Sequence, residues 1–370
     1  MLAYSLTRAL REREVPHYVL RAYPPDYEGD WFLAGEPETV QHVRLKGARS
    51  EDWLPLVQRD IAARQLPLLV DVGGLPTPTQ EGLLEACTHG ILLTPDAENR
   101  ALWRMRFERY QLELVADLRS ELLGVNRLTD EGAVLAGTLA GLERGLQAQG
   151  PVFEALTARL AVLFDAAAQG LVREHLLKAP VELAVDVGAL ARQLGQAPRA
   201  WLPEALLAVL DYLPERTPLA LYGRGPNWLY AAVAVHALPA AFHLFDARLG
   251  WVAPPRLEWG IPTPDAPLQV TVRAGAGWAQ LDFSLPDAYL DLAEAGTLVL
   301  PEVAAPGLVL SGKLPHWLWA GLARHYGECE WLAVAQMRLP GAVVVRSRTP
   351  ARRVGMLVPR LDMGEGQFQK

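Results

Sequence analysis

Leu221–Ala237 reads LYGRGPNWLYAAVAVHA, and 89 residues later Leu310–Tyr326 reads LSGKLPHWLWAGLARHY. At that constant offset Gly223 matches Gly312, Pro226 matches Pro315, Trp228 and Leu229 match Trp317 and Leu318, Ala234 matches Ala323, and His236 matches His325. Chance rarely keeps so many uncommon residues in register. Each stretch opens as an apolar strand, PLALYG or GLVLSG, turns on glycine and carries proline near the first helical position. An apolar helix then runs to the histidine, and a second strand follows within AAFHLFDARLG or EWLAVAQMRLPG. A loop at a helix N-terminus leaves backbone N–H groups unpaired at the positive end of the helix dipole, which suits an anion. Arg224 or Lys313 adds a full charge there. For Gly223, Arg224 and Gly225 a phosphate-holding loop and a plain tight turn fit the motif equally, whereas Trp228, Leu229, Trp317 and Leu318 read as core.

The rest of the chain sets bounds on this reading. Of 370 residues, 51% are hydrophobic and 21% charged, enough for two or three cores. Apolar runs such as LPLLVDVGG and GTLVLPEV are broken within a few residues by Gly, Pro or Asp, so no membrane segment is expected. Cys87 and Cys329 are too few for a disulfide framework, and a cytoplasmic location is expected. With 42 acidic against 35 basic side chains, a net charge of −7 offers no general attraction to a long nucleic acid. An anionic ligand must find a local basic pocket. Strand-like and helix-like runs alternate up to about Leu146, which argues for a parallel sheet covered on both faces. The expected organisation is an N-terminal domain over 1–148, a helical connector over 149–179, and two α/β repeats over 180–256 and 265–370, separated by the extended PPRLEWGIPTPDAP.

The stretch GRGPNWLYAAVAVHA followed by FHLFDARLG resembles the CRISPR-associated ring nucleases called Csx-three or Crn-three. The second copy resembles them too: LQVTVRAGAGWAQLDFSLP looks like their opening hairpin, LVLSGKLPHWLWAGLARHY their central strand and helix, and RLPGAVVVRSRTP their closing strand. The resemblance implies a cyclic oligoadenylate ligand, most often cyclic tetra-adenylate, and metal-assisted cleavage of its phosphodiester ring to switch off type III CRISPR signalling. It implies ligand contacts from Gly223, Arg224, Gly225, Pro226 and Asn227 in one copy, and from Ser311, Gly312, Lys313, His316, His325 and Arg338 in the other. The implied chemistry falls to Asp246, Arg248 and a histidine, with Asp246 also holding manganese or magnesium. The family histidine aligns with Leu238 and Gly327, so His236 or His325 stands in only if the loop shifts; His243, three residues before Asp246, faces the other side of a regular strand. Copy two has Gln336 where the Asp belongs, and Gln is neither an anionic ligand nor a base. A non-hydrolysing sensor that relays ring binding to the N-terminal domain or a partner is the alternative, and two fused copies would form a pseudo-dimer within one chain.

The N-terminal part, with ALREREVPHYVLRAYPPDYEGDWF and LPLLVDVGGLPTPTQEGLLEACTHGILLTPD, looks like the P-loop nucleotide-hydrolase domain often fused to this module. Asp71 would occupy the magnesium-side position and Gly73 and Gly74 would let the backbone approach a phosphate. No G-x-x-x-x-G-K-[ST] occurs, so ATP is not expected as a ligand, and Asp71 reads first as a strand-end turn residue. LAYSLTRALRER fits the helix that normally follows the P-loop, so that loop is expected to be lost by truncation or in evolution. The expected fold is thus α/β, a truncated P-loop-like parallel-sheet domain followed by two tandem ring-nuclease-like repeats, with a homo-oligomer possible.

Overall fold

The computed structural model describes residues 2–22, 54–73, 80–143, 146–168, 170–197, 201–286, 290–336 and 339–361, with Arg21 and Gln80 described by their backbone alone. The chain is a mixed α/β protein of two compact units, Met1–Glu174 with Ala247–Leu249, and His175–Asp246 with Gly250–Lys370.

The first unit runs α1 (Leu2–Glu12), β1 (Tyr18–Arg21), α2 (Leu54–Ala62), β2 (Leu68–Asp71), β3 (His89–Thr94), α3 (Ala97–Arg109), β4 (Glu113–Glu121), β5 (Arg127–Asp130), β6 (Leu135–Ala140) and α4 (Pro151–Ala168). Strands β1 and β2 pair in parallel; β3, β4 and β6 are parallel in a second sheet, with β5 antiparallel at its edge. Parallel pairing follows from the alternation of strand and helix, because each crossover needs a helix-sized connection. The stretch expected as a connector supplies α4 to this unit's core: Val152, Phe153, Leu156, Leu160 and Phe164 form a buried stripe against Leu6 and Leu10 of α1 and Leu118 of β4. By length and composition alone Pro151–Leu177 is apolar enough to cross a membrane, as the core helix of a globular unit can also be. On another cluster, Trp103 and Phe107 of α3 cover Leu92 of β3. Asp117 of β4 is buried and pairs with Arg100 at 2.7 Å and with Arg104 through its other oxygen.

The unit boundary falls within α5 (Leu171–Leu177). The second unit continues with β7 (Ala184–Asp186), α6 (Val187–Gln193), α7 (Leu206–Tyr212), β8 (Leu219–Tyr222), α8 (Asn227–His236), β9 (Phe242–Asp246), β10 (Gly250–Val252), β11 (Glu258–Trp259), β12 (Gln269–Gly275) and β13 (Trp278–Ser284). It ends with β14 (Val299–Leu300), β15 (Gly307–Gly312), α9 (His316–His325), β16 (Trp331–Ala335), β17 (Ala342–Ser347) and β18 (Leu357–Val358). One sheet has the order β10-β9-β8-β7 and another β12-β13-β15-β16-β17-β18. In the first, β7, β8 and β9 are parallel and β10 turns back. In the second, β13, β15 and β16 are parallel and β17 turns back.

Residues Trp228–Val235 of α8 and Trp317–Ala323 of α9 are buried without a break. A helix apolar on every face must be covered on every face. The two helices pack against each other, and α8 also touches β16 and β17 as well as β9. The Arg324 guanidinium fastens their ends, donating to the carbonyl oxygens of Ala234 at 3.1 Å and Ala240 at 3.0 Å.

In the larger sheet Gly307 lies opposite Trp331, and a Cβ at Gly307 would fall 1.9 Å from the indole Cε2. Gly307→Ala therefore forces the buried Trp331 to move and is expected to cost about 1–3 kcal/mol, the usual range for overpacking. Urea unfolding of the variant beside the parent measures it; an unchanged midpoint would mean that the ring shifts freely.

Candidate functional site

Strands β7, β8 and β9 end in parallel at Asp186, Tyr222 and Asp246. The carboxyl ends of parallel strands are where open α/β sheets present loops to ligands. After β8 the chain turns on Gly223, whose φ of +97° is open to glycine and strained for any other residue. Arg224 is exposed and Gly225 is half-buried. A Cβ on Gly225 would come within 2.9 Å of Leu229 and 3.2 Å of Val187, so the loop lies close over the helix start. Pro226, extended at φ −70° and ψ 153°, caps α8, and Asn227 begins it. After β15 the same grammar recurs: Ser311 ends the apolar run, Gly312 turns at φ +153°, Lys313 is half-buried, Pro315 caps and His316 begins α9.

The packing of α8 on α9 brings the two loops together. The Asn227 side-chain amide donates to the Ala335 carbonyl oxygen at the end of β16, at 2.8 Å. Tyr230, buried in α8, donates its hydroxyl hydrogen to the Gly223 carbonyl and stacks its ring on His316, with centroids 4.2 Å apart and planes inclined by 17°. Burial pushes the Tyr230 hydroxyl well above the ordinary tyrosine range; the Arg224 charge opposes this, and the Asp246 and Asp186 charges add to it. The hydroxyl therefore stays protonated and keeps donating. Tyr222 is likewise pushed up to about 12, by burial and by Asp186. Its ring lies among His175, Phe245 and Trp251, with the hydroxyl 3.1 Å from His175 Nδ1.

Asp186 escaped the sequence reading. It ends the apolar run ELAVD just before a helix and accepts the Ala189 N–H at 2.7 Å as the cap of α6. Asp186 lies opposite Tyr222 in the first sheet, and Asp282 lies opposite Ser311 in the second. Tyr222 and Ser311 are 89 residues apart, so the two aspartates occupy corresponding places. Asp282 is engaged by Arg273 and by Gln280, whose amide donates to it at 2.8 Å.

The other expected residues are placed as follows. His236 ends α8 with Nε2 3.0 Å from the Leu213 carbonyl oxygen. His325 ends α9 with its ring tilted against Trp259, centroids 3.7 Å apart and planes inclined by 35°, and is bonded to the Leu257 backbone. His243 lies on β9 beside Ala220, and burial lowers its pKa. Arg248 is grouped with the first unit, buried 3.7 Å from the Asp60 carboxylate. Gln336 follows β16 with its side-chain oxygen buried and unbonded. Asp71 ends β2, and its carboxylate accepts the Gly73 N–H at 3.1 Å, a local turn with Gly73 at φ +78°. Gly74 and Arg338 lie outside the described residues. Among the described residues no group of three or more His, Cys, Asp and Glu side chains gathers where it could hold a metal ion.

The loops and strand ends thus define a class of α/β domain that offers two glycine turns, each with one cation, on neighbouring helix N-termini. Residues 284–359, which carry β15, α9, β16 and β17, match the family described as CRISPR-associated protein (Cas_csx3). Over 51 residues, 14% of its length, the chain is 41% identical to an uncharacterized protein of Aquifex aeolicus (strain VF5), covering 46% of that protein. The chain spans about half the length of this relative. The matched segment is therefore similar to a CRISPR-associated Cas_csx3 domain.

Burial holds the His325 imidazole down to about 4, against the hydrogen bond that the ring donates to the Leu257 backbone, which works the other way. Unfolded, the same ring takes up its proton near 6.5, so this histidine makes the fold less stable as the pH drops from 6.5 towards 4. The His325 ring signals are expected to titrate near pH 4 by NMR, and His325→Phe should flatten that part of the stability profile. Titration at the ordinary value would mean that Trp259 does not shield the ring.

Proposed function

We propose that the second unit is built from two copies of one ring-nuclease-like module, binds a cyclic oligoadenylate, cyclic tetra-adenylate first among them, and opens its phosphodiester ring to end a type III CRISPR signal. The observation that carries the reading is the joining of the two glycine loops through Asn227, Ala335, Tyr230 and His316. A small cyclic ligand with phosphates on opposite sides needs donors that converge from two sides. Helix N-termini with Arg224 and Lys313 offer them despite a net charge of −7. Each sheet contains a run of three parallel strands followed by a returning one, β7, β8, β9 and β10 in the first and β13, β15, β16 and β17 within the second, which supports the reading of two related copies.

A second reading is favoured by one observation: His236 and His325, the nearest stand-ins for the family histidine that aligns with Leu238 and Gly327, are directed at the backbone of Leu213 and Leu257. On that reading the unit holds the ring intact as a sensor and passes the signal to a partner.

Incubation of the full chain with labelled cyclic tri-, tetra- and hexa-adenylate, reading bound and cleaved fractions together, separates the two. One ring per chain is the expected stoichiometry, because both loops face one ligand. Arg224→Ala and Lys313→Ala should each raise the Kd about tenfold, the scale of one charge-assisted hydrogen bond. Unchanged affinity in either variant removes its loop from the site, and no binding to any ring rejects both readings.

A further inference from the structure

At the 89-residue offset Tyr230 corresponds to Trp319, and each is 1% exposed. A side chain that only fills core has no use for a hydroxyl, because a buried polar atom costs stability unless it is bonded. The Tyr230 hydroxyl is bonded on both sides of one loop residue. It donates to the Gly223 carbonyl oxygen, and its own oxygen takes a backbone hydrogen bond at Gly225. The ring carbon Cε2 lies 3.5 Å from where a Cβ on Gly225 would stand, so the loop rests directly on the ring. Between the two glycines sits Arg224, exposed. Trp319 cannot do the same in the second stretch, since an indole donates through one N–H and accepts nothing. Several backbone donors at the start of α8 are already engaged. Pro226 has no N–H, the Trp228 N–H bonds to the Asn227 side-chain oxygen at 2.9 Å, and the Leu229 N–H bonds to the Pro226 carbonyl oxygen at 3.0 Å. With Gly225 held by Tyr230 as well, the guanidinium of Arg224 becomes the loop's chief means of holding a phosphate, and its placement decides how well the loop does so.

We propose that Tyr230 is a positioning residue of the ring site: its hydroxyl clamps the turn from Gly223 to Gly225 and so fixes where Arg224 meets a ligand phosphate, while its ring supports His316 at the start of the second helix. The assignment rests on the ring-binding reading above, whether or not the ring is then opened. It makes the two loops unequal. The Arg224 loop is set before the ligand arrives and loses little freedom on binding, which favours affinity. The Lys313 loop has an indole at the corresponding place and no hydroxyl there. Stacking on His316, with centroids 4.2 Å apart, ties the set loop to the other one, so that a single buried side chain touches both.

The test is a double-mutant cycle on the full chain, with Kd for labelled cyclic tetra-adenylate read by equilibrium titration. Tyr230→Phe keeps the ring and its stacking and removes only the hydroxyl. It should raise Kd about fivefold, the weight of one hydrogen bond. In an Arg224→Ala background the same change should raise Kd less than about twofold, because the hydroxyl acts through Arg224; a hydroxyl that merely stabilised the fold would weaken binding equally in both backgrounds. Hydrogen exchange of the ligand-free chain gives a reading that needs no ring. The Gly225 amide should be protected in the parent and exchange about tenfold faster in Tyr230→Phe. A parental Kd in Tyr230→Phe, or an equal loss in the Arg224→Ala background, overturns the assignment and leaves ring binding standing. An unprotected Gly225 amide in the parent overturns the clamp with no ligand present. A parent chain that binds no ring overturns the ring-binding reading, and with it this role for Tyr230.

Discussion

The architecture of the second unit depends on one constraint: α8 and α9 are apolar on every face. An amphipathic helix can lie on a sheet and show its polar side to water, but these two have no polar side to show. Each must be enclosed by a sheet, by the other helix and by further strands. Enclosure of α8 against α9 draws the strand ends and glycine turns that precede them to a common edge, so burial in the core and assembly of the candidate site are one event. Tyr230 makes this explicit. It is buried as core, yet its hydroxyl holds the carbonyl of the Gly223 turn and its ring carries the first residue of α9.

Much of this was legible in the sequence because it is local. Gly223, Pro226, Gly312 and Pro315 announce turns and helix starts wherever the chain goes, and the starts fall at Asn227 and His316. The alternation of strands and helices likewise announces parallel sheets. What could not be read was which end of each element meets which. His236 and His325 look available in a linear text, and only the fold turns them onto Leu213 and Leu257. Asp186 was missed for a related reason. It corresponds to Asp282 through the sheet register, but the two are 96 residues apart, so an offset of 89 passes over them.

The N-terminal unit shows the opposite balance. Its strand-end Asp71 reads in sequence first as a turn residue, and in space its carboxylate accepts the Gly73 amide N–H of a short turn. The helix over Pro151–Ala168 reads in sequence as part of a helical connector, and is core because its residues at 152, 156, 160 and 164 align in one buried stripe. Composition alone does not distinguish these roles; the stripe does.

The contact between Asn227 and Ala335 is intramolecular, and this has a consequence for how such a site can change over time. Were the same edge formed by two identical chains about a twofold axis, any substitution would appear on both sides at once, and a histidine at a helix start would impose a second histidine opposite. A single chain escapes that symmetry: position 227 can keep an amide that braces the edge while position 316 carries an imidazole. Its two halves also meet at a local concentration that dilution does not alter. The site is then as complete in a cell with a few copies of the protein as in one with thousands.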